Sequence, residues 1–116
     1  MQDSNCIFCK IIEGKIPSKK VFENDVVIGF EDLAPQAAKH LLFIHKSHTT
    51  DVGQMMLSGP KQVEEIFLAI THYTRDTGLD RSGFRVVTNQ GKNAGQTVFH
   101  SHFHLLGGEP LGHFGR

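Results

Sequence analysis

The chain has 116 residues, enough for one domain with a real core. Its 12 acidic and 12 basic side chains balance, so net charge implies no polyanion partner, and no basic patch marks a nucleic-acid surface. The N-terminus, MQDSNCIFCK, carries no apolar signal segment and no run approaches membrane-spanning length, so a cytoplasmic protein with neither nucleic-acid nor membrane partners is expected.

In chain order, residues 5–13 predict a short helix with Ser4 or Asn5 as its N-cap, bounded by Gly14 and Pro17. Two strands follow at 20–23 and 26–31, joined by the two-residue turn Asn24-Asp25. Alternation places Val26, Ile28, Phe30 and Asp32 on one face of the second. A loop around Pro35 leads to a third strand at 40–46, with His40, Leu42 and Ile44 on one side and Leu41, Phe43 and His45 on the other. The clearest helix is 60–77. Pro60 suits its first turn, Val63, Ile66, Phe67, Ile70 and Tyr73 recur at helical spacing, and Gly78 suits its end. A fourth strand at 84–89, a glycine-bounded loop at 91–95 and a histidine-bearing strand complete the chain. Strands in runs joined by short turns predict an α+β domain, an antiparallel sheet with its helices packed on one face.

The last strand poses the chemical question. In Val98-Phe99-His100-Ser101-His102-Phe103-His104, three histidines alternate, so His100, His102 and His104 share a face. They could be hydrogen-bonded structural residues. A single three-histidine zinc site fits poorly, because residues i and i+4 of a strand lie about 13 Å apart while zinc sits about 2 Å from each ring nitrogen. A third reading is nucleophilic catalysis, since neutral imidazole attacks phosphorus and the adduct is resolved by water. The flanking histidines would orient the nucleophile or serve phosphate oxygens, and the 91–95 loop could bring backbone N–H groups to a phosphate. The cysteines of Cys6-Ile7-Phe8-Cys9 are too few and too close for a disulfide scaffold. They read as metal ligands, a redox pair or plain buried residues.

GQTVFHSHFHLLGG resembles the histidine-triad (HIT) signature, and its LLGG tail and preceding GQTV resemble the Hint branch, the nucleoside phosphoramidate hydrolases. The segments CIFCKIIEGKIPSKKVFEND, EDLAPQAAKHLLFIHKSH and GFRVVTNQGKNAGQTVFH are similar to Hint segments in the same order, so the resemblance covers all but the C-terminal tail. It implies a five-stranded antiparallel sheet with a main helix and a short N-terminal helix, dimerising into a continuous sheet. It also implies hydrolysis of purine nucleoside phosphoramidates, with AMP or GMP as the nucleotide part, through a nucleotidyl-histidine. The alternatives are a dinucleoside polyphosphate hydrolase, which the LLGG tail disfavours, and a nucleotide-binding regulator with residual activity.

By the same resemblance His102 is the nucleophile, His100 and His104 flank it and the phosphate, and His40 orients it through a hydrogen-bond chain. Asp32 would hold the ribose hydroxyls beside Phe30, and Phe8, Ile11, Ile16 and Leu33 would form the base pocket. Asn89, Gly95, Gln96 and Thr97 would serve the phosphate and leaving group. No cofactor is required for this chemistry, but Cys6, Cys9, His48 and His100 resemble a structural zinc set found in bacterial relatives. The sequence departs from the family at Ser101, an ordinarily apolar position where only packing should change. It departs again at Glu109, where Arg is common, and in a short tail without Trp; these bear on the leaving-group side.

Overall fold

The computed structural model describes residues 5–114; the proposed Ser4 cap lies outside them. Five strands form one sheet in the order β1-β2-β3-β5-β4, every neighbouring pair antiparallel. They are β1 (Lys20–Glu23), β2 (Val27–Glu31), β3 (Lys39–His45), β4 (Phe84–Val87) and β5 (His102–Gly107). The helices are α1 (Ile7–Ile12), α2 (Val52–Ser58), α3 (Lys61–Thr77) and the single turn α4 (Leu79–Ser82). The α+β expectation with five antiparallel strands, a main helix and a short N-terminal helix is met.

The helices are not all on one face, as the strand pattern had suggested. Val27, Leu41, Phe43, Phe103 and Leu105 pack under Ile66, Ala69 and Ile70 of α3 and Met55 of α2. On the opposite face Ile28, Phe30, Leu42 and Ile44 pack under Phe8 and Ile11 of α1. The reason is in β3, whose Leu41-Leu42-Phe43-Ile44 is apolar at every position and so has two faces to bury. Gly29, opposite Phe43, admits that ring. A Cβ there would meet it at 2.8 Å.

Several boundaries shift for local reasons. Cys6, not Asn5, caps α1, its sulfur accepting the Cys9 N–H at 3.3 Å. The first hairpin turn is one residue longer than expected, because the Asn24 side chain accepts both the Val26 and Val27 N–H groups at 2.9 and 2.8 Å. Val26 therefore precedes β2 and packs with the α3-side core instead of sharing the Ile28 face. Helix α2 was not expected. Its signal is present in Asp51-Val52-Gly53-Gln54: Asp51 accepts the Gln54 N–H at 2.9 Å, and the Gln54 side chain accepts the Thr50 N–H at 2.6 Å. Gly78 ends α3 at φ 81°, as expected of a left-handed C-terminal glycine.

Candidate active site and metal centre

Antiparallel register builds the histidine cluster. His104 lies opposite Leu42 and His102 opposite Ile44, so both rings fall on the α1 face that Leu42 and Ile44 share. His40 lies two residues before Leu42, a diagonal neighbour of His104. Their ring nitrogens meet, His40 Nε2 to His104 Nδ1, at 2.8 Å.

Hydrogen bonds fix the tautomers. The Gln36 N–H donates to His40 Nδ1 at 2.9 Å, so His40 carries its proton on Nε2 and donates it to His104 Nδ1. His104 then bears its own proton on Nε2. His102 is held differently: its Nδ1–H donates to the His100 carbonyl at 2.7 Å, which leaves Nε2 as a free lone pair. His40 thus meets His104 directly, and the His100 backbone is what contacts His102. Burial pushes the His102 pKa below its ordinary value, against the opposing His100 carbonyl bond and the Asp32 charge. Burial, with His102 and His40 nearby, pushes His104 down to about 4. Both rings are neutral near pH 7, as a nucleophile and a hydrogen-bond donor require.

These two rings form the floor of a cleft of about 270 Å³. Phe8, Ile11, Ile16, Phe30 and Leu42 give it apolar walls, with Leu33 fully exposed on its rim. Phe8 meets Phe30 edge-on at 5.7 Å and the His102 ring at 5.1 Å. Asp32 lies at one side. One of its oxygens accepts the Ala34 N–H at 2.8 Å; the other lies 3.5 Å from His40 Nε2. Thr97 and Val98 also line the cleft.

Four expected residues take other places. The His100 ring is fully buried away from the cleft. Asn89 does not line the cleft, nor do Gly95 and Gln96. The Gln96 side chain staples its loop, donating to the Thr50 and Val98 carbonyls and accepting the Gly91 N–H at 2.9 Å. The N–H groups of Ala94, Gly95 and Gln96 are taken up by carbonyls of the same loop. The loop therefore turns Thr97 and Val98, not its glycines, toward the cleft. Sequence reasoning missed Ser18, whose hydroxyl is buried without a partner beside the cleft. It also missed Val98, although alternation with His100 and His102 pointed to it. Ser101, expected to act only through packing, is hydrogen-bonded: its hydroxyl meets that of Thr49 at 2.7 Å. Glu109 accepts the Ala38 N–H at 2.7 Å, tying the tail to the loop before β3.

A second cluster joins Cys6, Cys9, His48 and His100. The Cys6 sulfur lies 3.3 Å and the Cys9 sulfur 3.5 Å from His100 Nδ1, and His48 Nδ1 lies 3.2 Å from both the Cys9 sulfur and His100 Nδ1. Ligands of a tetrahedral zinc stand about 3.6 Å (S to N) and 3.3 Å (N to N) apart. The donor set fits that arrangement. His100 donates its Nε2–H to the His45 carbonyl at 3.0 Å, so its Nδ1 lone pair faces His48 Nδ1, as a shared cation would require. Burial pushes the His100 pKa down to about 4, keeping the ring neutral as a ligand must be. Asp32, His40 and His104 also bring ligand atoms together. There the His40 Nε2 proton occupies the shared space, and the cluster reads as a hydrogen-bond chain.

A family model for the HIT domain matches residues 13–111. The chain belongs to the HIT domain family. It is 35% identical over 106 residues to a purine nucleoside phosphoramidase of Escherichia coli (strain K12), covering 91% of this chain and 89% of that protein. Among solved structures it is similar to a histidine triad protein from Clostridium difficile, at 39% identity and a TM-score of 0.94, covering 99% of this chain and 100% of that one. A HIT family hydrolase from Clostridium thermocellum has 40% identity and a TM-score of 0.90, with 96% of each chain covered. These relatives share the fold, so this HIT chain carries its histidines on a common scaffold.

Proposed function

We propose that this HIT protein hydrolyses purine nucleoside 5′-phosphoramidates through a nucleotidyl-His102 intermediate. The observation that carries the reading is the tautomer of His102: Nδ1–H is tied to the His100 carbonyl, and Nε2 stands unprotonated in a cleft with aromatic walls and a carboxylate. The purine lies against Phe8 and Phe30, with Ile11, Ile16 and Leu33 around it, and Asp32 receives the ribose hydroxyls. His102 Nε2 attacks the α-phosphorus, forming a P–N bond. The bond to the leaving amine breaks as that nitrogen gains a proton, and water then cleaves the adduct to nucleoside monophosphate. His104 offers its Nε2–H to the phosphoryl oxygens, in the tautomer that the Gln36–His40 chain sets. Thr97 faces the leaving group from the cleft wall.

Cys6, Cys9, His48 and His100 would hold zinc with four protein ligands, and its role there would be structural. Those residues tie the start of α1 and the segment after β3 to the triad. No cofactor enters the reaction itself. The protein acts as a cytoplasmic homodimer. Exposed Phe67 and Leu68 on α3 and Leu57 on α2 support an apolar contact between copies, and cysteines kept as thiols suit a reducing compartment.

A turnover screen of adenosine and guanosine phosphoramidates beside diadenosine polyphosphates tests the substrate class. Phosphoramidates should turn over faster, with ribonucleotides preferred over 2′-deoxyribonucleotides in the wild type and less so in Asp32→Asn. Polyphosphate rates far above the phosphoramidate rates overturn the assignment. The pH profile tests the protonation state. Because burial lowers the pKa of both cleft histidines, the acid limb of kcat/KM should be centred below the ordinary histidine value. An acid limb centred near the ordinary histidine value of about 6.5 would contradict a neutral, buried nucleophile.

A further inference from the structure

His45 and Glu65 lie outside the cleft, and no step of the chemistry uses them. His45 ends β3 with its side chain 6% exposed. Its Nδ1 accepts the Ser47 N–H at 3.1 Å, and its Nε2–H donates to Glu65 Oε1 of α3 at 3.0 Å. With both nitrogens engaged, one tautomer is set. The bond to Ser47 closes a short turn just past the strand, and the next residue is His48, whose Nδ1 meets Cys9 and His100. The backbone carbonyl of His45 accepts the His100 Nε2–H. One residue therefore bonds the His100 ring through its carbonyl and, through its ring, the backbone one residue before His48.

We propose that His45 and Glu65 are positioning residues of this metal centre. Glu65 selects the His45 tautomer, and His45 in turn aims His48 and fixes the ring of His100. A hydrogen bond serving stability alone would do little better here than an apolar pair packed on the α3-side core. Such an apolar pair could not accept the Ser47 N–H. Carboxylate–histidine pairs around metal ligands act in this way, by setting ligand orientation from one bond further out. The inference rests on the Cys/His cluster being a metal site.

Zinc affinity of the full chain, read by competition with a chromophoric chelator, tests it alongside the visible spectrum of the cobalt(II) form. Glu65→Leu leaves the His45 proton free to move to Nδ1, where it would repel the Ser47 N–H. Zinc affinity should fall by about 10-fold or more, with altered cobalt bands. Glu65→Gln keeps an acceptor oxygen and should bind as the wild type does. His45→Asn places an oxygen where Nδ1 stood, so it should retain most of the affinity and make a further Glu65→Leu change silent. Wild-type zinc affinity and cobalt bands in Glu65→Leu, with only a lower melting temperature, overturn the positioning role and leave the metal site standing. A wild type that takes up neither ion overturns both.

Discussion

His102→Ala should form no enzyme–nucleotide adduct and should lose turnover by on the order of 10⁴-fold or more, as loss of a covalent nucleophile does elsewhere. The hydrogen bonds explain why no neighbour can substitute. In His104 the Nδ1 lone pair is taken by His40 and the other nitrogen is protonated. His100 is fully buried, donates one nitrogen to the His45 carbonyl and turns the other to the cysteines. Nucleotide binding should survive in the variant, because Phe8, Phe30 and Asp32 remain around the cleft. Acid-quench mass spectrometry reads the adduct directly. His104→Ala should slow turnover while leaving adduct detectable, since it removes a donor to phosphate and not the attacking atom. An adduct that accumulates in His102→Ala would place the nucleophile elsewhere and refute the reading of this strand.

Period-2 arithmetic carried much of this site. It put His40, Leu42 and Ile44 on one face of β3 and His102 and His104 on one face of β5; the β3–β5 register is what brings those two faces together. It could not separate the roles of the three histidines, because role here depends on backbone direction. Strand β5 begins at His102, and ahead of it the chain bends toward Thr49, whose carbonyl accepts the Ser101 N–H at 2.7 Å. The His100 ring thereby joins the cysteines while its carbonyl stays with His102. The glycine-bounded loop misled for a related reason. Glycines allow an anion nest, but Gln96 and the loop's own carbonyls hold several of its N–H groups. The Cys6/Cys9 pair and His48 were legible as residue types. Their approach to within 3.5 Å of one nitrogen or another depends on the α1 cap and the turn at Ser47, neither of which has a signature in composition. The division of helices between two faces was written in the unbroken apolar run of β3, a pattern that says buried but not by what.

Removing the metal should have the other large effect. Purified protein should carry close to one zinc per chain, and stripping it with a strong chelator should lower both stability and turnover. A ligand at a thousand times its Kd stabilises the folded state by about 4 kcal/mol, which for a domain of this length is on the order of 15 °C in Tm. The loss should be reversed by added zinc and be absent in Cys6→Ser with Cys9→Ser, which cannot hold the ion and should melt low from the outset. Turnover should fall with the metal because His100 is shared: its ring would be a ligand, and its carbonyl fixes the proton on His102 Nδ1. With the ring released, that carbonyl is held less firmly, and more of the His102 population carries its proton on the nitrogen that must attack. Apparent kcat should therefore drop more than nucleotide affinity does, since Phe8, Phe30 and Asp32 lie outside the Cys6, Cys9, His48 and His100 set. Protein purified without chelator that carries less than about a tenth of an equivalent would retire the metal assignment. Cys6 and Cys9 would then be two thiols buried for packing, and the His48–His100 contact would need one of its facing nitrogens protonated to stand at 3.2 Å.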